Sequence, residues 1–154
     1  MVERALEQDI PSILALQKLA FVTEAELYGD YSIPPLTQTE ASLREEFRRA
    51  VILKAMQGDE LVGSVRGWQD GSTCHVARLA VHPGHRRQGL GEQLMKAIES
   101  VFVHASRFEL FTGDRSESNI RLYRRLGYTE FKRERLNESV SLVFMQKVLR
   151  DLPR

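Results

Sequence analysis

The residues best suited to do chemistry lie in one run, Leu79-Ala80-Val81-His82-Pro83-Gly84-His85-Arg86-Arg87-Gln88-Gly89-Leu90-Gly91. The run reads as the apolar end of a strand, a basic glycine-containing turn and the start of an amphipathic helix, an arrangement that suits a diphosphate. A helix N-terminus presents unpaired amide donors and a partial positive charge, so an anion there receives several hydrogen bonds at once. Gly89 and Gly91 remove side chains that would hold the anion off the backbone, while Arg86 and Arg87 can add charge-assisted contacts. His85 contributes little charge, because an unperturbed imidazole is mostly neutral at pH 7. Two glycines near arginines also fit a tight, solvated strand-to-helix turn, so neighbouring segments must decide between the two readings.

A second cluster runs from Leu110 to Tyr128 and holds Asn119 and Tyr123 four residues apart. One helical turn separates them, so both lie on one face and can reach one groove. Each also has an ordinary structural reading, Asn119 as a helix cap and Tyr123 as a core residue with its hydroxyl at the rim.

The elements that must position these residues follow from the pattern of apolar positions. A short Val2 to Leu6 strand leads into Asp9-Ile10-Pro11, where Asp9 can cap a helix and Pro11 occupies a first turn that needs no amide donor. Ile10, Ile13, Leu14, Gln17 and Phe21 share a helical face, giving a helix to about Phe21. Tyr28 to Leu36, with Pro34-Pro35, reads as an ordered loop. Thr37 and Glu40 have capping-box spacing ahead of a second helix carrying Leu43, Phe47 and Ala50. Three β-type runs follow, Val51 to Met56, Leu61 to Trp68 and Cys74 to Val81, with hairpin turns at Gly58-Asp59 and Asp70-Gly71. Leu90, Leu94, Ala97, Ile98 and Val101 then recur at helical spacing. Phe108 to Thr112 reads as a strand, Ser118 to Leu126 as a short helix stopped by Gly127, and Tyr128 to Arg135 and Val140 to Val148 as closing strands. The expectation is an α/β fold with a single mixed, mostly antiparallel sheet of about seven strands and about four helices.

The 154 residues amount to one domain, 1–154, and the net charge of +1 gives no reason to expect a nucleic-acid partner or an anionic membrane. Cys74 is the only cysteine, which excludes an internal disulfide and a cysteine-rich metal site. No apolar run approaches the roughly 20 residues of a membrane span, so a cytoplasmic setting is expected.

On these residues the chain resembles the GNAT superfamily of acyl-CoA N-acyltransferases. The family signature is Gln or Arg, two residues, Gly, one residue, then Gly or Ala, which Arg86, Gly89 and Gly91 match. Here it follows a strand and opens a helix, as phosphate binding requires. The resemblance covers most of the chain from Val2 to Val148 and is sharpest between Leu79 and Tyr128. It implies that the strand before the signature is splayed from its neighbour, so that Leu79, Ala80 and Val81 pair with the pantetheine arm of acetyl-CoA. It further implies cofactor contacts from Arg86, Arg87, Gln88, Gly89, Leu90, Gly91 and Asn119, with Tyr123 facing the sulfur. A dinucleotide-binding Rossmann domain fits poorly, since the turn lacks G-x-G-x-x-G order and no repeated βαβ unit precedes it. No G-x-x-x-x-G-K-[ST] occurs, which excludes a P-loop.

The activity so implied is acetyl transfer from acetyl-CoA to a primary amine of a small molecule, amino acid or peptide, by direct attack in a ternary complex. The amine must lose a proton from an unperturbed pKa near ~10.4 before it can attack. Tyr123 is the candidate proton donor to the departing thiolate, and the Val81 amide the candidate donor to the thioester carbonyl. Some family members carry a glutamate four residues before the strand-end triplet; this chain departs from that pattern with His75, a candidate base that reads equally well as a half-exposed strand histidine. Glu24, Tyr28 and Tyr31, between the first two helices, are candidates for recognising the amine. No metal is expected, and family habit implies a homodimer. The alternative is a non-catalytic acyl-CoA-binding sensor or interaction module, against which Tyr123 argues, because such a module needs no proton donor beside the sulfur. A nucleic-acid module using Arg121, Arg124, Arg125, Lys132, Arg133 and Arg135 ranks below both, for no recognised motif accompanies the patch.

Overall fold

Seven β-type segments pair into one sheet in the order β1-β2-β3-β4-β5-β7-β6. The computed structural model describes residues 1–149. The strands are β1 (Val2–Arg4), β2 (Val51–Gln57), β3 (Glu60–Asp70), β4 (Thr73–Val81), β5 (Arg107–Gly113), β6 (Thr129–Arg135) and β7 (Ser141–Val148). The helices are α1 (Ile10–Tyr28), α2 (Pro34–Thr37), α3 (Glu40–Arg49), α4 (Leu90–Val101) and α5 (Glu117–Arg125). All pairings are antiparallel except β4 with β5. The fold class is therefore the one the sequence pattern implies.

Successive residues of a strand point to opposite faces, and β2 shows how this sheet uses both. Leu53 and Ala55 join a core with Leu94, Met95 and Ile98 of α4, whereas Ile52 packs with Ile10 and Ile13 of α1 and Leu43 of α3. The sheet is thus covered by α4 on one face and by α1 and α3 on the other.

The N-terminal third departs from the sequence reading in four places. Helix α1 runs to Tyr28, two turns past Phe21, because nothing between Val22 and Tyr28 breaks a helix before Gly29 closes it at φ +61. Pro34-Pro35 do not extend a loop but open the one-turn helix α2, where a missing amide costs nothing. The cap of α3 is Thr39, whose side chain accepts the Ser42 amide at 3.1 Å, rather than Thr37. Asp9 makes no cap bond either; its carboxylate accepts the Leu6 amide and pairs with Lys54 at 2.7 Å.

A polar network locks α1 and α3 onto the sheet. Arg66 of β3 is 2% exposed and donates to Glu46 of α3 and Gln17 of α1. Gln17 donates in turn to Gln38 and to the Pro35 carbonyl, each at 2.9 Å, and Gln38 donates to Glu46 at 2.9 Å. Removing one partner of a buried pair leaves a desolvated charge unanswered. Glu46→Ala is therefore expected to lose about 3 kcal/mol in urea unfolding, the low end of the usual range because Glu46 keeps one side in solvent.

Candidate functional site

The site begins where β4 leaves β5. Only Thr73, Cys74 and His75 pair with Arg107, Phe108 and Glu109, so Val76 to Val81 have no strand partner on that edge among the described residues. On its other edge β4 stays with β3 through a bulge: Arg66 faces Ala77 and Ser64 faces Ala80, so Arg78 and Leu79 share the place opposite Val65. Arg78 adopts φ +56 there. The free edge therefore presents unpaired backbone donors and acceptors at Leu79 and Val81, while Ala80 between them turns toward Ser64 of β3.

Beyond β4 the chain is held in a tight turn. The His82 amide donates to the Val62 carbonyl at 2.8 Å, and His82 Nδ1 accepts the Gly84 amide at 2.9 Å. Because Nδ1 is so engaged, the neutral ring carries its proton on Nε2, which faces Glu60 at 3.9 Å; His85 Nε2 faces the same carboxylate at 3.4 Å. The three side chains thus brace the turn from beneath. Arg87 and Gly89 then take left-handed conformations, φ +65 and +78. Gly89 is the N-cap of α4 and has no side chain to occupy the first amides of the helix, which leaves them for an outside acceptor.

A cavity of about 510 Å³ joins these parts. Its walls are Leu79, Ala80 and Val81 of β4, Arg86, Arg87, Gly89, Leu90 and Gly91 of the turn and α4, Thr23 and Glu24 of α1, and Asn119 and Leu122 of α5. Arg86 does not point freely into it. Its guanidinium donates to the Ala20 carbonyl at 3.1 Å and to Thr23 Oγ1 at 3.2 Å, tying the turn to α1. Gln88 is turned away as well, accepting from Gln57 at 2.9 Å. Arg87 and, across the cavity, Arg121 are exposed cations on its wall with no ion pair among the described residues.

Glu24 is the hub of the cavity. It accepts from the Ser116 hydroxyl and from Asn119 Nδ2, the latter at 3.4 Å. Burial raises its pKa above the ordinary glutamate value, against the opposing pull of the Ser116 hydrogen bond and the Arg86 charge. Tyr123 lies in the adjoining core, 6% exposed, with its ring 6.0 Å from that of Tyr128. Its pKa is pushed well above the usual tyrosine value by burial and then by the charge of Glu24. Tyr28 is buried, and its hydroxyl accepts the Arg115 amide at 2.8 Å, fixing the β5–α5 turn.

The structure thus gathers Leu79, Ala80, Val81, Arg86, Arg87, Gly89, Leu90, Gly91, Asn119 and Glu24 around one cavity; Tyr123 does not line it but is packed in the core with Tyr128. It does not bring in His75, which stacks on Trp68 at 5.4 Å on the still-paired part of β4, nor Tyr31, which is 60% exposed. Ser116 went unremarked because a serine before a helix reads as a cap; here it makes no cap bond and serves Glu24. Three features of the chain fit an acyl-CoA: the free β4 edge, the uncapped α4 N-terminus with Gly89 leaving space in front of it, and a cavity joining them. In the basic patch, Arg125 pairs with Glu92, Lys132 with Glu134 and Arg133 with Glu130. No helix among the described residues is long and apolar enough to cross a membrane.

The sheet is mixed, and β4 parts from β5 just ahead of the β4–α4 turn. The chain belongs to the acetyltransferase (GNAT) family, which it matches over residues 12–128. Among curated proteins, UPF0157 protein YqkA of Bacillus subtilis (strain 168) is 25% identical over 116 residues, 75% of this chain; the match spans 33% of that protein's length. Among solved structures, the ribosomal-protein-S18-alanine N-acetyltransferase from Escherichia coli superposes with a TM-score of 0.81 at 16% identity, covering 99% of this chain and 96% of that one. The putative acetyltransferase yncA from Salmonella typhimurium, solved with acetyl-CoA, gives 0.78 at 17% identity, covering 100% and 96%. The paia N-acetyltransferase from Thermoplasma acidophilum, in complex with coenzyme A, gives 0.78 at 15% identity, covering 96% and 98%. These likenesses establish the fold.

Proposed function

We propose that this chain is an N-acetyltransferase that uses acetyl-CoA and a primary amine bound together in the cavity. The observation that carries this reading is the free β4 edge from Val76 to Val81 running into the uncapped N-terminus of α4. Relatives with this fold carry names that specify N-acetylation, and two were solved with acetyl-CoA or coenzyme A, which supports the same donor here.

Bound acetyl-CoA supplies an activated acyl group. The α4 amides and Arg87 would hold its diphosphate, the free β4 edge at Leu79 would pair with its arm, and the Val81 amide is the candidate donor to the thioester carbonyl. Glu24 takes the base role in preference to His75. It lies on the cavity wall with a raised pKa, which brings its proton affinity closer to that of a working base near neutrality. Tyr123 is the candidate proton donor to the leaving sulfur; burial keeps its hydroxyl protonated but makes it a weaker acid, so the transfer requires that bound substrate lower its pKa. Asn119 and Ser116 orient the Glu24 carboxylate.

The test is a panel of primary amines, amino acids and short peptides incubated with acetyl-CoA, read by thiol release and by a mass increase of one acetyl group on the amine. The expected result is acetylation of at least one class above the rate without protein. Tight acetyl-CoA binding with no acetylated amine would move the chain to the sensor reading.

A further inference from the structure

Two cations on the cavity wall lack a carboxylate, and they stand on different elements. Of the arginines that line the cavity, Arg86 is spent on α1 and Arg125 meets Glu92 at 3.6 Å. Arg87 in the turn and Arg121 on α5 have no ion pair among the described residues. The acidic side chains on the wall are already engaged. Glu24 accepts from Ser116 and Asn119, and Glu92 pairs with Lys96 at 3.2 Å as well as with Arg125.

The packing of α5 sets where Arg121 stands. Ser118, Arg121, Leu122 and Arg125 recur at steps of three and four, so one stripe of the helix faces the cavity. Leu122 seats that stripe against the cradle: a Cβ built on Gly91 would come within 3.1 Å of its side chain, and the bare backbone there lets α5 approach. Arg125 makes a second tie at Glu92, the next residue of α4. Arg121 adjoins Leu122 and lies one turn, about 6 Å along the axis, before Arg125. It therefore flanks the start of α4 from the α5 side, as Arg87 does from the turn.

A coenzyme A thioester brings two separate phosphate groups to such a cavity. The α4 amides and Arg87 answer the diphosphate. The second group, a monoester on the 3′-oxygen of the adenosine ribose, is one sugar ring away and carries a charge of about −1.5 to −2 at pH 7. A guanidinium suits it, because the planar fork offers two parallel N–H donors to the phosphate oxygens.

We propose that Arg121 receives the 3′-phosphate of the donor, so that this chain selects free coenzyme A thioesters over donors with the same pantetheine arm and no ribose phosphate. An acylated carrier protein and a dephospho-coenzyme A thioester belong to the rejected class. The inference rests on the donor proposed above and adds the residue that tells one class of donor from the other.

The experiment titrates coenzyme A and dephospho-coenzyme A, which differ only in the 3′-phosphate, into the wild type, Arg121→Gln and Arg121→Lys by calorimetry. The wild type is expected to bind coenzyme A roughly 10-fold more tightly, the low end for hydrogen bonds to a charged group because Arg121 is exposed. Arg121→Gln should collapse most of that ratio by weakening coenzyme A alone, and Arg121→Lys should restore part of it. Equal affinity for the two ligands in the wild type overturns the proposal, as does a ratio that survives in Arg121→Gln. An Arg121→Gln protein that weakens both ligands equally also overturns it, assigning the residue to the diphosphate or to the packing of α5. A coenzyme A preference that depends on Arg121, with no amine acetylated, keeps this inference and sinks the acetyltransferase reading alone. Equally efficient acetyl transfer from acetyl-CoA and its dephospho form does the reverse.

Discussion

Gly89→Trp is expected to abolish acetyl-CoA binding, raising the dissociation constant roughly 100-fold or more, about 2.8 kcal/mol. Gly89 sits at φ +78 as the N-cap of α4, with open space where a Cβ would stand. A tryptophan would fill the space in front of the first helical amides and disfavour the left-handed backbone that aims them. Gly89→Ala separates the two effects: its single methyl leaves the cradle open, so only the backbone cost, on the order of 1–2 kcal/mol, should appear. Because the residue is exposed, the fold should survive both changes, which far-UV circular dichroism checks. Full acetyl-CoA affinity in Gly89→Trp would remove the diphosphate from this turn and with it the basis of the proposed function.

The signature around Gly89 was legible in the sequence because its chemistry is local. Gly89, Gly91 and the apolar strand before them act through their own backbone, and backbone geometry follows from spacing. The four-residue step from Asn119 to Tyr123 put only one of the two at the cavity: Asn119 lines it, while Tyr123 lies in the core. Glu24 was harder. Nothing within a few residues of it separates a site carboxylate from a solvated one; its meaning comes from Ser116 and Asn119, more than ninety positions away, and from burial that only the fold supplies. The arginines show the same limit. Arg86 carries the motif but spends its guanidinium on α1, whereas Arg78, outside any motif, sits at a bulge that no pattern of apolar residues announces. In the N-terminal third the misread elements turn on breakers. Gly29, not Phe21, ends α1, and the prolines begin a turn of helix instead of forbidding one.

Glu24→Gln is expected to lower kcat/KM by roughly 10²–10⁴-fold, the range for removal of a positioned general base, while acetyl-CoA affinity stays within a few-fold of wild type. The glutamine keeps the size of the side chain and can still engage Asn119 or Ser116, so a loss of this size would report proton transfer rather than packing. Tyr123→Phe should lower kcat as well, and the double variant should lose less than the product of the two, since both act on one proton path. The pH profile supplies a second readout. A base must be ionised to work, and Glu24 has a folded-state pKa raised above 4.5, so the acid limb of kcat/KM should lie above the ordinary glutamate range and vanish in Glu24→Gln. Stability should move the other way. A carboxyl with a raised folded-state pKa binds its proton more tightly folded than unfolded, so stability is lost as pH rises from 4.5 through that raised value. Glu24→Gln carries no such penalty and should be no less stable than wild type at pH 7. A variant that is stable, binds acetyl-CoA and retains full activity with an unchanged acid limb would exclude Glu24 as the base and return the role to a water path or to the amine itself.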